Sequence, residues 1–304
     1  MRHQCLFLAG TAAALLTGLL GLSAFAEDTK ELKEPPIVWK TTEGCSRPES
    51  AYFDAKSGFL FVSQIAGEGA AKDGVGWISK LDRSGKVLVA KWVEGLNAPK
   101  GLRSTGDTLW VSDIDELIGI SISKGKVTEK IKIEGAKFLN DVAAGEDGAV
   151  YVSDMLSNRI HVLRAGKLSV FAEGPELEFP NGLLVDGDNL IVGGRGEIVD
   201  DKSTKPGHLF SLDLKTAKKT LLTNYPLGVL DGIEIDGHGG YIVSDWLNGR
   251  VFQVTKTSQP KLLIQLTRGT ADIAYFPKEK LLILPRMLDD NVTAYDLSKL
   301  VSGS

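Results

Sequence analysis

The chain has 304 residues, 43% of them hydrophobic, with 35 Lys and Arg against 39 Asp and Glu. A net charge of −4 is mild and gives no electrostatic reason to expect nucleic acid as a partner. Its only cysteines are Cys5 and Cys45, which excludes a disulfide scaffold and leaves core packing to hold the fold.

At the N-terminus, Arg2 precedes a mostly apolar run from Leu6 to Leu22 and the A-x-A pattern Ala24-Phe25-Ala26. This reads as a secretory signal peptide over 1–26, cleaved before Glu27, in preference to a retained anchor. The mature protein is therefore expected in the periplasm or outside the cell, with no membrane association after cleavage. Cys5 leaves with the signal, so Cys45 has no internal partner. Residues 27–36 are charged, end in Pro35-Pro36, and read as a short exposed linker; 37–304 reads as one large domain.

That domain repeats. "GDTLWVSDIDELIGI", "DGAVYVSDMLSNRIHVL" and "HGGYIVSDWLNGRVFQV" each give a turn, a strand ending in Val-Ser-Asp, another turn and another strand. "SGFLFVSQI", "GDNLIVGGRGE" and "KEKLLILPRML" fit more loosely. The result is six units of about 46 residues, near the blade length of a β-propeller. Runs of Val, Ile, Leu, Tyr and Trp bounded by Gly, Asp, Asn or Lys are strand grammar. The predicted fold is an all-β six-bladed propeller. The final unit stops at a third strand, and "PIVWK" (Pro36–Lys40) is expected to supply its fourth, which would remove an open edge. The aspartates of Val-Ser-Asp (Asp113, Asp154, Asp245) are expected to bond the turns that follow them. Trp77, Trp110 and Trp246 are expected to pack between blades.

The unit-opening segments "PESAYFD", "PKGLRST", "LNDVAAG", "PNGLLVD", "LDGIEID" and "ADIAYFP" align with a polar second residue in each: Glu49, Lys100, Asn140, Asn181, Asp231 and Asp272. The first strand of a propeller blade lines the central channel, so these six are expected to form a ring. Carboxylates and amide oxygens converging on one axis suit a hard divalent cation. At any one position a hydrated cap is the simpler reading; for the set, a site is favoured.

The segments "RPESAYFDAKSGFLFVSQI", "FLNDVAAGEDGAVYVSD", "FPNGLLVDGDNLIVGG" and "LDGIEIDGHGGYIVSD" resemble the senescence marker protein/gluconolactonase (regucalcin-like) family, related to the paraoxonase and strictosidine synthase-like propellers. The resemblance implies a divalent metal in the channel, Ca2+ first, with Mg2+, Mn2+ or Zn2+ as alternatives. It assigns Glu49, Asn181 and Asp231 to the metal, with Asp231 also the general base, and Asn140 to metal or substrate. Lys100 departs from the family pattern and is a candidate to grip an acidic substrate, as is Arg286 of "LPR". Gln64 stands where the first blade of the family often has aspartate.

The expected activity is metal-dependent hydrolysis of a lactone or similar small ester, with a small molecule as the substrate. The alternative is a non-catalytic NHL-like propeller binding a protein or carbohydrate, whose flavour "YVSDMLSNRIHVLRAGKLSVFAEG" carries. His161, His208 and His238 show no zinc-ligand spacing, and no G-x-S-x-G elbow occurs. The sequence leaves the oligomeric state open.

Overall fold

A computed structural model of the protein describes residues 33–197, 199, 204–255 and 259–301. The expected signal peptide (1–26) and residues 27–32 of the expected linker lie outside the described residues. The short apolar runs become strands, arranged as six four-stranded antiparallel sheets. The chain opens with β1 (Ile37–Thr41). Blade one follows, as β2 (Pro48–Asp54), β3 (Phe59–Gln64), β4 (Gly76–Leu81) and β5 (Val87–Leu96). Blade two is β6 (Pro99–Thr105), β7 (Thr108–Asp113), β8 (Glu116–Ser121) and β9 (Lys126–Lys132). Blade three is β10 (Leu139–Ala144), β11 (Val150–Asp154), β12 (Arg159–Arg164) and β13 (Lys167–Glu173). Blade four is β14 (Pro180–Asp186), β15 (Asn189–Gly194), β16 (Leu209–Asp213) and β17 (Lys219–Leu221). Blade five is β18 (Leu230–Ile235), β19 (Tyr241–Asp245), β20 (Arg250–Val254) and β21 (Lys261–Gln265). Blade six takes β22 (Ala274–Phe276), β23 (Leu281–Arg286) and β24 (Asn291–Asp296) from the far end of the domain. The protein is an all-β, six-bladed propeller.

Within each blade the chain runs outward from the channel, and burial follows. β11 is buried throughout because neighbouring blades cover both its faces, whereas the outermost β9, "KVTEKIK", is largely exposed. Charges along such outer strands discourage pairing with other chains. β1 pairs antiparallel with β24 and completes blade six, as the sequence predicts. The described end of the expected linker does not hang free. Asp296 N–H donates to the Pro36 carbonyl (2.9 Å) and Tyr295 Oη–H to Glu34 Oε1 (2.8 Å).

Apolar cores lie between successive blades and run all the way round. The closing one joins Ala51, Leu60, Val62 and Leu81 of blade one to Ala274, Phe276, Ile283, Val292 and Ala294 of blade six. Trp110 packs between blades two and three as expected. Among the described residues no helix is long and apolar enough to cross a membrane.

The feature that builds the channel is a bulge repeated in the inner strands. Pro48, Pro99, Leu139, Pro180 and Leu230 each pair with the last residue of the second strand. The register then shifts before Ala51, Leu102, Val142, Leu183 and Ile233 resume the ladder. Positions two and three of each segment are thereby freed from their own blade and turned toward the axis. The serine of Val-Ser-Asp takes up a freed donor: Ser153 Oγ accepts from Asp141 N–H (2.9 Å) and Ser244 Oγ from Gly232 N–H (2.8 Å). Ser63 Oγ does the same for Ser50 N–H (2.9 Å).

The aspartate of the same motif holds the segment leading into the inner strand. Asp113 accepts from Ala98 N–H (2.7 Å), Asp154 from Phe138 N–H (2.8 Å) and Asp245 from Val229 N–H (3.1 Å). Gln64 does this for Ser46 N–H (2.9 Å) in blade one. Bonds from the following turn, as expected from the sequence, are present as well: Asp154 accepts from Ser157 Oγ–H and Asp245 from Asn248 N–H. The preceding segment is the partner shared by all of them.

At position three the inner strands approach each other so closely that side chains are rationed. A Cβ on Gly182 would overlap the Asp231 carbonyl oxygen, and one on Gly101 would strike Asp141. Gly182→Ala is therefore expected to cost at least about 3 kcal/mol, because the obstacle is backbone and cannot rotate away. Gly69→Ala, with open space at its Cβ, is expected to stay within about 0.5 kcal/mol of the parent. Denaturant midpoints of the two variants check this.

Candidate functional site

The bulge delivers position two of successive blades to one end of the channel. Glu49, Lys100, Asn140, Asn181 and Asp231 all line a single cavity of about 220 Å³, and all five are buried. This is the ring expected from the sequence, with one correction. In blade six the bridge Thr270–Arg286 marks position one, which puts Ala271 at position two and Asp272 at position three. Asp272 also bridges to Ser50, the position-three residue of blade one. The shared letters "AYF" in "PESAYFD" and "ADIAYFP" shift the sequence alignment by one residue. Alignment on the first core residue of each ladder, Ile273 with Ile233 and Leu183, gives the observed register.

The ring is consequently lopsided. Asn181, Asp231 and Glu49 come from blades four, five and one, and Ala271 contributes only a methyl between the last two. Asn181 Nδ2–H donates to the Leu230 carbonyl (2.9 Å), which fixes the amide orientation because only the nitrogen can donate. Its Oδ1 is left buried without a hydrogen-bond partner, and so is Glu49 Oε2. Burial, then the nearby Asp231 charge, push the Glu49 carboxyl well above its usual range. Asp231 is raised too, by burial first and Asp272 second, while Arg195 pulls it down. Two mutually repelling carboxylates beside an unpartnered amide oxygen form a donor set short of positive charge.

Lys100 sits on the other half of the ring. Its Nζ donates to the Ala98 carbonyl (2.9 Å) and lies 4.4 Å from the centre of the Phe138 ring. Burial lowers it to about 8, against the opposing pull of Glu49. Asn140 also lies on this half, with its Nδ2 3.9 Å from the Met155 sulfur. Among the described residues no three His, Cys, Asp or Glu side chains gather at metal-ligand spacing. The oxygen set here is two carboxylates with amides, which matches a hard cation better than zinc.

A second tier comes from the residues that follow five of the six second strands, Ile65, Met155, Arg195, Trp246 and Met287, all of which line the same cavity. Their backbone N–H groups bond back to the segments leading into the inner strands, as in Arg195 to Phe179 (3.0 Å) and Trp246 to Val229 (3.0 Å). Trp246 packs between blades as expected, against a cluster that includes Ala271 and Met287 of blade six, and is a cavity wall as well; its indole bonds the Met287 sulfur (3.4 Å) and Arg268 stacks on it at 4.3 Å. Sequence reasoning missed Arg195, Trp246 and Arg47. Their common signal is their place, one residue beyond each second strand or before each inner strand.

Arg286, a substrate-binding candidate from the sequence, is not part of the cavity lining. It occupies the position of the Val-Ser-Asp aspartate in blade six and bonds Thr267 Oγ1 (2.7 Å) and Asp289. It does the bracing work that Asp113 and Asp154 do elsewhere. His161, His208 and His238 also lie outside the lining. His208 is bonded to Glu178 (2.9 Å).

No family model matches the chain, and no curated protein matches it. Solved structures do. A streptogramin B lyase superposes with a TM-score of 0.60 at 12% identity, covering 84% of this chain and 95% of that one. A catalytically inactive histidine-to-alanine variant of virginiamycin B lyase from Staphylococcus aureus, with quinupristin, gives 0.58 at 14% identity, covering 85% and 98%. At these identities the likeness is one of fold: six-bladed propellers.

Farther along the inner strands the channel is plugged. Arg103 of blade two reaches Glu234 of blade five, the opposite blade, at 3.0 Å, and Asp141 and Asp272 are close enough to add to its field. Ser50 Oγ donates to Asp272 Oδ2 (2.5 Å), and Asp141 Oδ2 accepts from Leu183 N–H (2.6 Å). These residues floor the cavity. Burial raises Glu234 to about 7, partly offset by Arg103. A raised carboxyl stabilises the fold fully below its unfolded value, and that contribution is lost as pH rises through the folded one. Stability is thus expected to fall between about pH 4.5 and pH 7. Glu234→Gln is expected to flatten that fall by on the order of 1 kcal/mol, read from denaturation at several pH values.

Proposed function

We propose that the protein is an exported, divalent-metal-dependent hydrolase acting on a lactone or similar small ester. The observation that carries this reading is the pair of buried, unpartnered oxygens, Glu49 Oε2 and Asn181 Oδ1, at equivalent positions of a ring shared with Asp231. Unsatisfied buried oxygens of this kind are costly unless something positive meets them. The resemblance of the inner-strand segments to the gluconolactonase family supports the same assignment.

Glu49, Asn181 and Asp231 would hold the ion, with Asn140 as a further donor, and Ca2+ suits an all-oxygen set best. A bound ion of this class supplies Lewis acidity that polarises an ester carbonyl. Asp231 takes a proton from the attacking water as the general base. Lys100 keeps N–H donors beyond the one spent on Ala98, available to an oxygen that gains negative charge in the transition state. The mostly apolar walls limit water around the reacting bond.

Metal analysis and thermal melts of the mature protein, with lactone hydrolysis followed with and without chelator, test the reading. Ca2+ at a hundred times its Kd is expected to stabilise the fold by about 2.7 kcal/mol. Glu49→Gln is expected to abolish that shift, and Asp231→Asn to lower kcat by roughly 10²–10⁴. No melting shift with any divalent ion, or hydrolysis indifferent to chelator, sinks the metal-dependent reading. Hydrolysis absent under all conditions leaves the binding propeller.

A further inference from the structure

Arg195 sets the chemistry of the ligand. Its Nη1 is buried without a hydrogen-bond partner, and among the described residues no ion pair joins its guanidinium to a carboxylate. It lines the cavity with Lys100, while Arg47 stands at the rim and Arg268 covers Trp246. Glu49 and Asp231 are the lining carboxylates, and Arg47 is already held, its Nη1 donating to the Gly67 carbonyl (2.5 Å) and lying 4.0 Å from Glu68, which leaves Arg195 as the guanidinium with an unpartnered N–H at the cavity. A divalent ion on those carboxylates would leave Arg195 with still less to balance it. A buried guanidinium N–H without an acceptor is costly, and a planar anion repays that cost with paired hydrogen bonds.

The surroundings of Arg195 limit the rest of the ligand. In the tier that follows the second strands, its neighbours on adjacent blades are Met155 and Trp246, and Met287 comes next. These are thioethers and an indole, with few groups to satisfy the hydroxyls of a sugar. Whatever the guanidinium grips must lie between apolar walls.

We propose that the cavity takes a carboxylate-bearing ligand with an apolar body, its carboxylate on Arg195 and its body between Met155 and Trp246. This rests on the hydrolase reading for the location of the site, but not on the metal. It makes the substrate class an acidic, apolar ester or lactone in place of a polyhydroxylated one.

Calorimetry with phenylacetate, phenylacetamide and gluconate, each in chelator and again in Ca2+, tests the proposal. Chelator removes direct metal–carboxylate bonding as an explanation. Phenylacetate is expected to bind at least tenfold more tightly than phenylacetamide or gluconate in both conditions. Arg195→Gln is expected to erase the phenylacetate–phenylacetamide difference without lowering Tm, because the lost Nη1 makes no bond in the fold; Arg195→Lys is expected to keep part of it. Equal or tighter binding of the amide or of gluconate overturns the proposal. So does no binding of any probe at millimolar concentration, or a preference that survives in Arg195→Gln. A carboxylate preference without a Ca2+ melting shift sinks the metal-dependent reading alone. The shift without the preference sinks this proposal alone.

Discussion

The close approach of six inner strands around one axis is the constraint on which the rest of this protein depends. Each strand must leave its own blade's ladder for two residues to fit, and the bulge is how it does so. Departure from the ladder frees backbone donors in a dry interior, and the serine and aspartate of the second strand capture them. Gly182, Gly101 and Gly232 mark where neighbouring backbones leave no space for a Cβ. In blades three and five, Val-Ser-Asp and the inner-strand bulge are thus two halves of one device: the first satisfies what the second disrupts.

The same device makes a site. Residues turned out of a ladder toward an axis are held rigidly by backbone bonds on both sides, and polar groups there are prevented from relaxing away from one another. Six-fold repetition alone would give a symmetric ring. Ala271 and Lys100 break it, leaving oxygens on blades four, five and one and a cation on blade two. The Arg103–Glu234 pair closes the channel behind them, so the cavity is a cup open at one end. Burying that many charges is tolerable where both signs meet, as Arg103 meets Glu234 and Lys100 feels Glu49.

Fold and chemistry separate cleanly here. The propeller is shared with streptogramin B and virginiamycin B lyases at 12% and 14% identity, and a fold of this kind hosts unrelated activities. What distinguishes this chain is carried by two residues per blade, one in the bulge and one just past the second strand. The strands between them only position those residues. A histidine-free lining with three basic side chains, two carboxylates and a wall of Met and Trp is a property of this sequence and not of its architecture.

Much of this was legible in one dimension. The six-fold repeat, the strand-rich blades, closure by the N-terminal strand and five of six ring members follow from hydrophobic period and turn residues, because those signals are local and recur. The sixth member was not. Whether Ala271 or Asp272 takes the second position of its segment depends on a one-residue register, and register is decided by pairing with β23, which the similar letters of "AYF" obscure. Arg286 looked like a ligand group because its sequence neighbours do not reveal that it replaces a bracing aspartate. Arg195 was invisible for the opposite reason: nothing near it in sequence is unusual, and only ring closure sets it beside Met155 and Trp246 of the adjacent blades. The sequence by itself determined the repeat and the kind of donors at its bulges, since both are written in residue type and spacing. The tertiary structure alone decided which side chains share the cavity, since that depends on the angle and register at which six separate strands meet.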